Sequence, residues 1–254
     1  MLGIVGEKGR LRSNLDRPPV GEWNMASPQA QTTAESPKYQ FFEGLAPRER
    51  EIIFAAAITR KIPANSVITT QGTTADRLYL LISGCMRMFY TTADGRKILL
   101  IWLAPGDVLG GASLIATRRN YVVSSETVKD SELLVWDRAT FRGFIEKFPQ
   151  LLDNALAIAG EYVDWFMTAH VTLTCYTARE RLGHVLLGLS RAIGEKVSGG
   201  TAIEVTNEDL ANAANITPYT ASRLMSEWQK SRAIIKHRGK VLLRSPERLL
   251  LTTV

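Results

Sequence analysis

The sequence predicts an α+β protein built of three consecutive parts: an N-terminal β-roll, one long dimerisation helix and a C-terminal winged helix-turn-helix. Three observations carry that prediction. Short β-branched and aromatic runs punctuated by glycine fill residues 66–136, where closely spaced strands suit a roll or barrel. A helix-period apolar pattern runs from Pro149 to Leu173. Residues 206–231, TNEDLANAANITPYTASRLMSEWQKS, then read as two short helices around a tight turn. The corresponding boundaries are a disordered tail at 1–37, the roll at 38–148, the long helix with its hinge at 149–177, and the winged helix-turn-helix at 178–254.

A chain of 254 residues with 45% hydrophobic composition can bury a core and suits one large or two modest domains. Its first 37 residues mix Gly, Pro, Ser, Gln, Thr and charges without period, the composition of a disordered tail. Met25 precedes a more typical start, so the first 24 residues are expected to be absent from the native product, which an intact-mass measurement checks. Two cysteines, Cys85 and Cys175, are too few for a disulfide framework and point to a reducing cytoplasm. No apolar run approaches the roughly 18 residues of a membrane span, and with only Leu2 to Val5 as an apolar run at the start a secretory signal is not expected. Residues 45–57 read as a short amphipathic helix with Pro47 near its start. Strands are then expected at 67–70, 78–82, 85–90, 98–103, 121–123 and 133–136. Turn signals fall between them at Gln71-Gly72, Ser83-Gly84, Ala93-Asp94-Gly95 and Pro105-Gly106-Asp107.

Along the long helix, Leu152, Leu156, Ala159, Val163, Phe166, His170 and Leu173 recur at alternating spacings of four and three, the heptad seam of a two-helix coiled coil. Leu151, Ile158 and Trp165 form a second line, every seven residues, available to the chain's own roll. A monomeric core helix is the competing reading. Pairing accounts better for the seam, because helix-turn-helix proteins commonly dimerise to read two half-sites. The seam ends at Leu173 and a new helix begins near Ala178, which makes residues 174–177 the hinge. Cys175, beside it, is either a redox switch or, more simply, a buried inert thiol.

In the C-terminal part Thr206 is an N-cap with Asp209 in the capping-box position, and Asn215 stands where the turn needs a left-handed backbone. Thr217 caps the second helix and Pro218 occupies its first position. Ala221, Leu224, Met225 and Trp228 make its inward stripe, leaving Tyr219, Thr220, Ser222 and Arg223 facing out. A small polar face ending in Arg suits base edges, since Arg bonds both acceptors of guanine. From Asn215 onward eight basic residues stand against two acidic ones, a net of +6 that equals the formal charge of the whole chain. That concentration is what phosphate contacts require. Residues 234–243 alternate around Arg238-Gly239-Lys240 like a two-stranded wing. The candidate DNA contacts are therefore Thr217, Tyr219, Thr220, Ser222, Arg223, Lys230, Arg238 and Lys240.

The order of roll, long helix and winged helix-turn-helix resembles the Crp/Fnr family of bacterial transcription regulators over roughly residues 41–250. The resemblance rests on LYLLISGCMRMFY, the Pro-Gly-Asp turn followed by GGASL, and ITPYTASRLMSEWQKS with RGKVLL. It implies a cyclic-nucleotide-binding-like jelly roll, a homodimer on a two-fold symmetric double-stranded operator, and RNA polymerase as a further partner. It also implies where an effector would sit: Gly110, Gly111, Ala112, Ser113, Tyr121, Val122, Phe166, Met167 and His170. Cyclic-AMP-binding members carry a Gly-Glu pair after the Pro-Gly-Asp turn and an Arg-Ser pair ten residues later, with Glu on the ribose and Arg on the phosphate. Here those positions are Gly110-Gly111 and Tyr121-Val122, which leave an anionic phosphate without a charged partner unless Arg118 or Arg119 swings in. Phe166 and Met167 also replace the Thr-Ser pair that meets adenine, so cyclic AMP is not the expected ligand. The family's iron–sulfur sensors use an N-terminal cysteine cluster, and this chain has no cysteine before Cys85. No cofactor is predicted. Haem is left open through His170, Cys85 or Met88, and a pocket lined by Leu109, Ala112, Leu114, Tyr121, Val122, Phe166 and His170 holds a small-molecule effector of unknown identity or nothing. Tyr219 replaces a Glu that many members use to accept from cytosine, and Pro218 replaces a second base-reading Arg, so the flanking operator preference should shift.

Catalysis and metal binding are not expected. The histidines His170, His184 and His237 lie outside the roll, where a metal cupin would need them, and no Ser-His-Asp set, phosphate loop or CxxC pair appears. A ligand-binding scaffold that has lost DNA function is the remaining alternative, which the basic C-terminal excess disfavours.

Overall fold

The structure, a computed structural model, describes residues 39–250 apart from positions 116 and 118. The tail, the Met25 start and Arg118 lie outside those residues. A 3-10 turn at Gln40–Phe42 and helix α1 (Pro47–Ala55) lead into eight strands: β1 (Ile58–Ile62), β2 (Val67–Thr69), β3 (Arg77–Ser83), β4 (Met86–Thr91), β5 (Lys97–Leu103), β6 (Val108–Leu109), β7 (Ser124–Thr127) and β8 (Ser131–Asp137). They form two four-stranded antiparallel sheets, ordered β1-β8-β3-β6 and β2-β7-β4-β5. The expected runs at 67–70, 78–82, 85–90, 98–103 and 133–136 all fall on strands.

The expected strand at 121–123 is not one. Tyr121 is held by its backbone to the turn at residues 72–73, donating to the Thr73 carbonyl at 2.9 Å, and the strand starts three residues later at Ser124. β7 is Ser-Ser-Glu-Thr, polar yet buried throughout. Every side chain has a partner: Ser125 Oγ pairs with Thr69 Oγ1 at 2.7 Å, Ser124 Oγ accepts from the Gln71 amide at 3.0 Å, and Thr127 Oγ1 donates to the Pro63 carbonyl at 2.7 Å. Such a strand survives burial because its polar groups are paired, and it lacks the apolar alternation by which strands are recognised. β1, largely exposed and charged, and β6, two residues long, also escape the pattern.

Helix α2 (Arg138–Lys147) follows, capped by Asp137, whose side chain accepts from the Thr140 amide at 2.9 Å. Helix α3 (Gln150–Cys175) carries the two apolar lines as read. Leu151, Ile158 and Trp165 are buried. Leu151 and Ile158 join an aromatic cluster of Phe41, Phe42, Trp136 and Phe141. The seam residues Leu152, Leu156, Ala159, Val163, Phe166, His170 and Leu173 are all exposed in the single chain. Cys175, the last residue of α3, is exposed as well, against the expectation of a buried thiol. Cys85 is the buried thiol, pushed up to about 12 by desolvation.

Only Tyr176 and Thr177 separate α3 from α4 (Ala178–Ala192), which opens on a Thr177–Glu180 capping box. The C-terminal part adds β9 (Glu195–Val197), β10 (Gly200–Glu204), α5 (Asn207–Ala213), α6 (Pro218–Lys230), β11 (Ile234–His237), β12 (Lys240–Leu243) and α7 (Glu247–Leu250). Its sheet runs β11-β12-β10-β9. The β9–β10 hairpin extends the predicted wing, and its signal was present in Ser198-Gly199-Gly200: Gly200 sits where a Cβ would strike the Leu243 carbonyl. Leu182 of α4 and Leu210 and Ala211 of α5 share one core with Leu99 and Ile101 of β5, so the C-terminal part rests on the chain's own roll. No described helix is long and apolar enough to cross a membrane.

Candidate nucleic-acid interface and effector pocket

The two-helix unit is built by local chemistry. Thr206 accepts from the Asp209 amide and Asp209 reaches back to Thr206, closing the capping box of α5. The chain then reverses at Asn215, whose φ of 49° is the left-handed value that Asn tolerates. The Ile216 amide donates to the Ala211 carbonyl at 3.0 Å, satisfying a helix-end acceptor. Thr217 caps α6 through the Thr220 amide at 3.1 Å. Ala221, Leu224, Met225 and Trp228 are buried behind α6, as the spacing predicts.

On the opposite face Tyr219 is 79% exposed, and Arg223, Lys230 and Arg238 are exposed. Thr220, Ser222 and Lys240 are half-buried, and Thr217 is exposed with its hydroxyl committed to the cap. Arg238 occupies the tip of the β11–β12 hairpin beside Gly239, whose φ is 71°. The candidate DNA residues thus divide between the outer face of α6, its two ends and the wing tip.

Two anchoring residues carried no sequence signal. Arg181 of α4 donates to the Ala214 carbonyl at 2.8 Å, the Asn215 carbonyl at 3.3 Å and the Tyr176 carbonyl at 2.7 Å. One guanidinium therefore ties the reversal between α5 and α6 to the junction between α3 and α4. Arg87 of β4 pairs with Asp209 of α5 at 2.6 Å and with Glu126 of β7 at 2.6 Å, while Lys97 reaches Glu126 at 3.1 Å. Burial alone would lower the Arg87 pKa, but the Asp209 and Glu126 carboxylates outweigh it and raise it. Lys129 holds Glu195 and Glu204 of the β9–β10 hairpin, both at 3.2 Å. Asp209, Glu195 and Glu204 of the C-terminal part thus meet cations on the roll.

The candidate effector residues separate into an inner and an outer group. Gly110 has φ of 88° and no room for a Cβ against the Arg77 carbonyl, whereas Gly111 opens onto free space. Gly111, Ala112 and Ser113 form a 3-10 turn, with Ser113 buried and its Oγ unpartnered. Tyr121 is buried, and its hydroxyl donates to the Arg77 carbonyl at 3.1 Å and accepts from the Arg77 amide at 3.2 Å. Burial next to Tyr79 pushes its phenol well above the usual range. Val122, by contrast, is 72% exposed, and Phe166, Met167 and His170 are exposed on α3. Phe166 and His170 instead line a groove of about 520 Å³ with Trp165, Leu99 and Ile216, between α3, the β4–β5 hairpin and α5. Of the residues expected around an effector, Phe166 and His170 thus face this groove, Leu109 and Tyr121 are buried in the roll, and Val122 is exposed.

Comparison with known proteins agrees with this architecture. The cyclic nucleotide-binding domain family matches residues 59–148 and the Crp-like helix-turn-helix domain family matches residues 180–251. The anaerobic regulatory protein of Bacillus subtilis is 26% identical over 204 residues, covering 76% of this chain and 82% of the relative. The cyclic AMP receptor protein of Thermus thermophilus is 29% identical over 184 residues, covering 72% and 82%. The fold of CLP, a c-di-GMP-responsive global regulator from Xanthomonas campestris, superposes with a TM-score of 0.68 at 20% identity, covering 78% of this chain and 99% of that one. The chain belongs to the Crp/Fnr family of transcription regulators. The hydroxyl of Tyr121, at the position where the sequence comparison with cyclic-AMP-binding members expects phosphate, bonds the Arg77 backbone.

Proposed function

We propose that this Crp/Fnr regulator acts as a homodimer on a two-fold symmetric DNA operator, with residues 38–148 as sensor, 149–177 as dimer helix and hinge, and 178–254 as reader. The observation that carries the reading is the outer face of α6. Tyr219 and Arg223 stand exposed on a helix whose back is fully buried, in the region that holds the chain's excess positive charge. Arg223 bonds a guanine in each half-site, Tyr219 contacts the neighbouring base without a carboxylate, and Lys230, Arg238 and Lys240 contact phosphates. The exposed seam on α3 supports pairing: Leu156, at 63% exposure, and Val163, at 60%, are costly to leave in water. Paired α3 helices set the distance between recognition helices, about one helical turn of DNA apart. A signal at the roll favours one arrangement of that seam over another.

The sensor does not use cyclic AMP in this reading. Tyr121 supports that assignment by filling the phosphate corner, and Gly111 offers no carboxylate to a ribose. Neither haem nor another cofactor is assigned, no catalytic step is assigned, and the effector is a different small molecule or control runs through abundance. The protein works in the cytoplasm with RNA polymerase as its further partner. Site selection from random DNA without added ligand tests the reading. A symmetric motif with one dominant guanine per half-site is expected, and Arg223→Ala should weaken binding about 10- to 100-fold and relax preference at that guanine. Undiminished binding by Arg223→Ala removes α6 as the reader.

A further inference from the structure

The carboxylate of Glu227 lies one turn after Arg223 on α6. Its Oε1 accepts from Arg223 Nη1 at 2.7 Å, and its Oε2 accepts from Arg179 Nη1 at 3.0 Å. Arg179 belongs to α4, and its guanidinium lies 5.3 Å over the ring of Trp228, which is fully buried. The chain Trp228–Arg179–Glu227–Arg223 thus runs from the core of the reading domain to the side chain that meets guanine.

Local energetics do not select this arrangement. A carboxylate in the C-terminal half of a helix opposes the helix dipole, and Arg before Glu is the weaker order of an i,i+4 pair. The pair is also exposed, with side chains 56% and 42% accessible, and such pairs contribute little to stability. Glu227 is one of two acids among the last 40 residues, and it sits on the helix that approaches phosphate. For DNA affinity alone, a neutral or basic residue would serve better. The position one turn before Arg223 holds Tyr219, which offers no carboxylate.

We propose that Glu227 is a specificity-determining positioning residue: it holds Arg223 in the conformation that reads guanine and discourages binding where no guanine is offered. The proposal rests on the assignment of α6 as reader. Only Nη1 of Arg223 is engaged by Glu227, which leaves Nε and Nη2 as the adjacent pair of donors that fits guanine O6 and N7. A long Arg side chain has rotamer freedom to lose, and a partner braced through Arg179 removes part of that loss before DNA arrives. On any other sequence the carboxylate remains as a negative charge near phosphate with no base contact to offset it, an element acting against the wrong site.

The test uses the full-length protein and fluorescence anisotropy on three duplexes: the selected operator, the same operator with the half-site guanine replaced, and random sequence. Glu227→Ala is expected to bind random DNA severalfold more tightly while its discrimination for guanine falls about tenfold. Glu227→Gln keeps an acceptor oxygen without the charge, so it should restore most of the discrimination while retaining the tighter random binding. Thermal midpoints check that both variants are folded. Arg223→Ala runs alongside. If it abolishes guanine discrimination while Glu227→Ala leaves it at the wild-type level, the positioning role is overturned and α6 remains the reader. If Glu227→Ala lowers preference equally at every operator position, its role is structural and the proposal also falls. If Arg223→Ala keeps full discrimination, the reading of α6 fails and takes this one with it.

Discussion

Removing Arg87 probes how the reading domain is held on the roll. Its guanidinium bridges Glu126 and Asp209, each at 2.6 Å, across 39 and 122 residues of chain. Two unit charges near 4 Å attract by about 4 kcal/mol at an effective dielectric of about 20, before desolvation is subtracted. Net values for charge-assisted hydrogen bonds are about 1.5–3 kcal/mol. Arg87 and Asp209 are about one-quarter exposed, which pulls their pair toward the low end, and Lys97 still compensates Glu126 after Arg87 is gone. Arg87→Ala should therefore cost about 2–3 kcal/mol, a fall in melting midpoint of about 5–10 °C for a chain of this size. Asp209 also closes the α5 capping box, so its single substitution mixes two effects. A double-mutant cycle of Arg87→Ala with Asp209→Asn, followed by urea unfolding, cancels the cap and isolates the bridge. We expect a coupling of about 1–1.5 kcal/mol that shrinks at high salt. A coupling within about 0.3 kcal/mol of zero would refute the claim that this bridge fastens the reading domain to the roll.

Three further outcomes are expected. Leu156 and Ile158 lie two residues apart on α3 but on different apolar lines. Ile158→Ala should cost about 2–4 kcal/mol of stability with the subunit association unchanged, while Leu156→Ala should weaken association in sedimentation equilibrium with little loss of monomer stability. A ligand at 100 times its Kd adds about 2.7 kcal/mol to stability, so a protein that bound cyclic AMP would show a clear thermal shift, and none is expected here at millimolar concentration. Finally, burial would raise the Glu126 carboxyl, but its bonds to Arg87 and Lys97 outweigh that and hold it below its ordinary value of 4.5. A carboxyl lowered on folding contributes stability that is full above its unfolded pKa and lost as pH falls through the folded one. Urea midpoints should therefore drop from about pH 5 downward, and Glu126→Gln should flatten that limb.

What could be read from the sequence was what neighbouring residues decide among themselves. Thr206 with Asp209, Asn215, Thr217 with Pro218, and the 221/224/225/228 stripe specify the two-helix unit within 26 residues, and the structure reproduces each of them. The two lines on α3 were legible for the same reason: helical period is a local property, and it separates the faces whatever they later touch. Strand β7 was missed because Ser124, Ser125, Glu126 and Thr127 are tolerable inside only through partners 29 to 64 residues away, in segments no local pattern links to them. Distance also hid the role of Arg181, which appears only when α4 is laid against the reversal between α5 and α6, and the brace that Arg179 of α4 gives Glu227, whose pairing with Arg223 is itself local. The placement of Tyr121 was a tertiary decision too. The sequence determined that no arginine stands there, but only the folded roll turned its hydroxyl onto the Arg77 backbone, because a buried phenol must find a partner.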